Sequence, residues 1–171
     1  MKKLIKNYVA KLQENEKKGF SLVELIIVMA IMAILVGVVA SQVLPYMEKS
    51  RMSKDQQQLS SLATDIVSAI SQSESSVSSF GPVQLNACKD NDATYGGGTW
   101  VKELGLLRSS DGVTVTSVTD IEKTIVGKFK SKSATKDANA KKVMVQYSNT
   151  TGIVTVYCAG GTVDKLKVET E

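Results

Sequence analysis

The chain has 171 residues, enough for one long helix and one modest folded domain. It contains no histidine, which removes the commonest general base near neutral pH, the commonest metal ligand and every Ser/His/Asp catalytic set. The formal charge of +4 resides in residues 1–19, where Lys2, Lys3, Lys6, Lys11, Lys17 and Lys18 face only Glu14 and Glu16. The remainder is neutral, which argues against a general nucleic-acid-binding domain.

The first element is apolar. Between Phe20 and Met47 the only charged side chain is Glu24, and about 20 apolar residues suffice to cross a bilayer as a helix. A buried core helix of this length would show a polar stripe, and none is visible here. Six lysines precede the segment, and only Lys49, Arg51 and Lys54 follow it closely. That asymmetry predicts a cytoplasmic N-terminus and an exported C-terminal domain. A secretory signal cut after Val38-Val39-Ala40 is the competing reading, but its apolar region would be too long and would contain a glutamate.

Glu24 sets this segment apart from an ordinary anchor. A carboxylate inside a membrane helix costs about 2–3 kcal/mol on insertion scales, so it calls for a function. Cleavage between Gly19 and Phe20 would create an α-amine at Phe20, with Glu24 the fifth residue of the product. At 1.5 Å rise per residue the two groups would lie about 6 Å apart along the axis. Two such helices, shifted by one turn, would bring one subunit's amine to the next subunit's carboxylate, a pairing strongly favoured over an unpaired buried charge.

The string Lys17-Lys18-Gly19-Phe20-Ser21-Leu22-Val23-Glu24-Leu25, followed by the apolar run, resembles the class III signal of type IV prepilins and pseudopilins. The resemblance covers about residues 17–50. It implies a membrane prepilin peptidase that cuts after Gly19 and methylates Phe20, and it gives Glu24 the role of assembly carboxylate. It also implies a filament of identical subunits, membrane lipid around the helix before assembly, and an assembly platform with its ATPase as partners. The process served would be adhesion, motility or DNA uptake, with a pseudopilin of a secretion or competence system, or a minor pilin or adhesin, as the alternative. The leader is longer than the commonest short one, and Pro45 lies a little farther from the cut than the helix-breaking proline of many members.

Helical spacing continues beyond Pro45. Leu59, Leu62, Ala63, Ile66 and Ile70 share one face, with Asp55, Gln56, Gln57, Gln58 and Thr64 expected on the wetter sides. This helix should fray in the serine-rich stretch 71–79 and stop at Gly81-Pro82. Residues 81–112 read as a loop-rich connection with a short helix around Val101–Leu107 and a core-packed Trp100. Strands are expected at Val113–Val118, Ile125–Phe129, Val143–Tyr147, Ile153–Cys158 and Val163–Val168, with turns at 148–152 and Gly160-Gly161. The expected architecture is α+β: leader 1–19, apolar helix 20–47, amphipathic helix 48–80, and a head over 81–171 with an antiparallel sheet.

Few residues suggest further chemistry. Cys88 and Cys158 are expected to form a disulfide if the domain is exported, and to remain thiols if it is not. Closing a loop of about 70 residues would stabilise the fold by about 4 kcal/mol. Asp90 and Asp92 offer hard oxygen ligands without an EF-hand spacing, so a plain turn is the preferred reading over a metal site. The lysine-dense stretch Lys123, Lys128, Lys130, Lys132, Lys136, Lys141 and Lys142 would suit DNA phosphates, against the simpler reading of a solvated loop and strand edge. No cofactor and no enzymatic activity are expected.

Overall fold

The computed structural model describes residues 20–110, 116–135, 142–159 and 166–170. It divides into two compact units, one ending at Pro45 and one beginning at Tyr46. The leader, residues 113–115 of the first expected strand, Lys136, Lys141, the Gly160-Gly161 turn and residues 163–165 lie outside the described residues.

The helix α1 (Leu22–Gln72) holds the whole apolar run, and its helical geometry continues through Pro45. In the first unit every described side chain is exposed. The run is long and apolar enough to cross a membrane by length and composition.

In the second unit Leu59, Leu62, Ala63, Ile66 and Ala69 of α1 are buried, while Ile70 packs at the edge of the core. Asp55 departs from expectation: it is buried, only 1% exposed, because it lies one helical turn before Leu59 on the same stripe. Its carboxylate accepts hydrogen bonds from the Ser131 N–H at 2.8 Å and the Lys130 N–H at 3.1 Å. The helix ends at Gln72, at the start of the serine-rich stretch and short of the stop expected at Gly81-Pro82.

The strand β1 (Phe80–Gln84) forms where a stop was expected. Gly81 and Pro82 fall in a register shift between Phe80 and Val83, and β1 is an edge strand, the position where a residue lacking an N–H is tolerated. The loop that follows packs back through Gly96, whose φ is +85° and where a Cβ would stand 2.4 Å from the Ser78 carbonyl oxygen. The helix α2 (Trp100–Leu107) then begins as expected. Trp100 is fully buried, its ring 5.5 Å from that of Phe80 in a stacked pair, and its Nε1 donates to the Tyr95 carbonyl at 3.0 Å. Arg108, at the end of α2, pairs with Asp65 of α1 at 2.6 Å.

The strand expected at Ile125–Phe129 is instead the last part of helix α3 (Val118–Lys128), which also takes Val118 from the strand expected before it. Two local signals outweigh the β-branched composition. Ser117 caps the helix, its Oγ accepting from the Asp120 N–H at 3.1 Å. Val118, Ile121 and Ile125 then fall on one helical face and are buried. A single helical turn, α4 (Lys132–Thr135), follows. Of the lysine-dense stretch, Lys123, Lys128 and Lys132 therefore lie on helices, and Lys142 opens the next strand.

The strands β2 (Lys142–Tyr147), β3 (Val154–Ala159) and β4 (Lys167–Glu169) complete a four-stranded antiparallel sheet in the order β1-β2-β3-β4. The expected hairpin turn is present: the Gly152 N–H donates to the Ser148 carbonyl at 2.8 Å, with Gly152 at φ +73°. Val143 and Val145 of β2 and Val154, Val156 and Cys158 of β3 face the core shared with α1, giving the expected α+β arrangement.

Candidate functional site

The start of α1 is built by two short polar side chains. Ser21 precedes the helix, and its Oγ accepts from the Val23 N–H at 3.3 Å. Glu24, in the first turn, returns the favour: its Oε2 accepts the Ser21 N–H at 2.9 Å. Ser21-Leu22-Val23-Glu24 is thus a capping box, satisfying two amides that the first turn of a helix leaves without partners. The negative charge also lies at the positive end of the helix dipole. The sequence carries this signal as a serine followed three residues later by a glutamate.

The box has a chemical consequence. A carboxylate has about four acceptor positions, and the Ser21 amide occupies one. Glu24 can therefore keep its helix cap and still accept hydrogen bonds from an approaching ammonium group. Phe20 stands just before the box, 89% exposed, and Gly19 lies outside the described residues. Beyond the box, residues 20–47 present only exposed side chains, among them Leu25, Ile26, Ile31, Ile34 and Leu35.

The other candidate residues do not gather into a site. The Asp90 Oδ1 accepts from the Lys102 N–H at 3.0 Å, which caps the first turn of α2. The Asp92 Oδ1 accepts from the Thr94 N–H at 2.9 Å, and these Thr94 contacts hold its carboxyl below the usual carboxylate range. Both acids are thus occupied in shaping the loop. Among the described residues no group of three or more His, Cys, Asp or Glu side chains is placed to hold a metal ion.

Cys88 and Cys158 are both buried and both free, so the bond expected for an exported domain is absent from the structure. Each behaves as a small apolar core side chain. The Cys88 Sγ donates to the Gln84 carbonyl at 3.5 Å. Burial first, and then the nearby charge of Glu122, push the Cys88 thiol up to about 12. Burial, then Asp55 and Glu122, do the same for Cys158, also to about 12. Glu122 is itself buried and accepts from the Val143 N–H at 2.8 Å, a structural contact joining α3 to β2.

Of the lysine-dense stretch, Lys123, Lys128, Lys130, Lys132 and Lys142 are described, and all are exposed.

Neither the curated proteins nor the solved structures contain a match to the chain. A family model does match, the prokaryotic N-terminal methylation motif, over residues 15–40. That interval contains the Gly19–Phe20 junction, the capping box and most of the exposed apolar run. Over these residues the chain carries the class III signal characteristic of type IV pilins and pseudopilins.

Proposed function

We propose that the chain is the precursor of a structural filament subunit, a type IV pilin, with no catalytic role of its own. It enters the membrane with the lysine-rich leader in the cytoplasm and the head outside. A prepilin peptidase cuts between Gly19 and Phe20 and methylates the Phe20 amine. The assembly platform and its ATPase then draw the helix out, and subunits add head to tail. A contact of this kind, made with different surfaces on each side and not closing on itself, generates an open helical filament. Removing apolar helix surface from water supplies most of the cohesion.

One observation carries this reading: Glu24 is the lone charged side chain in the exposed apolar segment 20–47, one turn from a terminus that cleavage after Gly19 would free. The Phe20 amine of one subunit and the Glu24 carboxylate of its neighbour set the axial register. The methylation motif covers pseudopilins as well, so a short filament of a secretion or competence system is the second reading. Filament length and abundance in the native cell separate the two.

The test is the N-terminus and mass of the chain isolated from its host. The reading expects a start at Phe20, one methyl group heavier than the sequence mass. A start at Met1 or at Ser41 would overturn it, since the first leaves the leader in place and the second is a conventional secretory cut.

A further inference from the structure

The head carries a basic groove that neither the methylation motif nor filament packing calls for. It encloses about 790 Å³ and is lined by Met47, Arg51 and Lys54 of α1 and by Gly127, Lys128 and Lys130 at and beyond the end of α3. The four cations come from two parts of the chain more than 70 residues apart. Lys54, Lys128 and Lys130 are exposed, and none forms an ion pair among the described residues. Arg51 stands 4.0 Å from the Glu48 carboxylate.

The acids beside the groove are already occupied. Asp55, which also lines it, is buried and accepts the Lys130 and Ser131 N–H groups. Glu48 accepts the Lys132 N–H. These bonds fix the backbone at 130–132, and so fix where Lys128 and Lys130 stand opposite Arg51 and Lys54. The fold thus assembles positive charge around a concave surface, in a chain whose residues 20–171 carry no net charge.

Several cations converging on one concavity suit a phosphate diester. Position along the chain selects its source. Met47, in the lining, comes two residues after Pro45 on the same helix, at the close of the apolar run. Basic side chains within about a Debye length of a membrane surface attract anionic head groups on either side of the bilayer. We propose that this groove binds the head group of an anionic phospholipid while the precursor or mature chain is anchored, with Met47 offering apolar surface beside the phosphate. The inference rests on the membrane-anchored state under Proposed function.

The test uses the full chain in a neutral detergent, with bound lipid counted by native mass spectrometry. Phosphatidylglycerol should be retained in preference to phosphatidylcholine. The double variant Lys128→Gln/Lys130→Gln should lose that retention by about tenfold or more. The double variant Lys123→Gln/Lys142→Gln removes the same charge from exposed positions outside the groove and should retain lipid as wild type does. Equal retention by the groove variant, or equal loss in both variants, would overturn the proposal, as would inorganic phosphate binding as tightly as the lipid. A short DNA duplex bound through the same lysines without lipid selectivity would reassign the groove to nucleic acid and overturn it too. Carbonate extraction of host membranes tests anchoring separately: release of the chain defeats the membrane reading itself, whereas an anchored chain without lipid preference defeats only the groove.

Discussion

The Glu24 carboxylate accepts the backbone N–H of Ser21 at 2.9 Å, so the lone acid of the apolar segment belongs to its own helix cap. This separates two duties of one side chain. Glu24→Gln keeps an oxygen for the Ser21 amide and removes the charge. Glu24→Ala removes both. If charge sets the register, both variants are matured and neither forms filaments. Normal filaments from Glu24→Gln, seen by electron microscopy, would show that the cap is what assembly requires.

Maturation should depend on the residue before the cut more than on the cap. We expect Gly19→Glu to retain the leader, visible as a slower band on a gel and as an unmethylated N-terminus. Ser21→Ala removes an oxygen that accepts the Val23 amide and should weaken the first helical turn by about 1 kcal/mol. That variant should still be cut.

Asp55 holds α1 to the segment before α4 through two backbone amides. Asp55→Ala strands the Lys130 and Ser131 N–H groups in a buried position and should cost about 3 kcal/mol. Asp55→Asn keeps one acceptor and should cost about half as much. Thermal melting of the detergent-solubilised chain measures both, and no loss in Asp55→Ala would show that water satisfies those amides.

Trp100 is the only tryptophan, so its fluorescence reports unfolding of the head without labelling. Trp100→Phe keeps an aromatic ring against Phe80 but leaves the Tyr95 carbonyl without the indole donor it now has. A loss of about 1–2 kcal/mol is expected. Trp100→Ala loses the ring as well, and about 3–5 kcal/mol is expected; both can be followed by circular dichroism.

The two buried thiols predict an alkaline limit. Their native values are raised from the usual 9.0 to about 12, so the native state keeps its protons where the unfolded state has lost them. Their contribution to stability is therefore intact below pH 9.0 and is lost progressively as pH rises towards about 12. In the folded chain both should resist alkylation at pH 8, and both should react once denatured. A Cys88→Ala/Cys158→Ala variant should lose the steeper part of the alkaline decline.

The sequence by itself determined the N-terminal half: the apolar run, its isolated acid, the glycine–phenylalanine junction and even the capping box are local patterns. So were Trp100 with the helix after it, and the β2–β3 hairpin with its glycine turn. So was the helix over Val118–Lys128, whose Ser117 cap and helical spacing of Val118, Ile121 and Ile125 are local signals set against a strand-like composition. Tertiary structure alone decided the rest. Phe80–Gln84 becomes a strand only because β2 offers it an edge. Asp55 looks solvent-exposed until two amides some 75 residues later in the chain meet it. The basic groove exists only where Lys128 and Lys130 are brought to Arg51 and Lys54. In each of these cases the partner that settles the conformation is remote in sequence, and no pattern within a single segment records it.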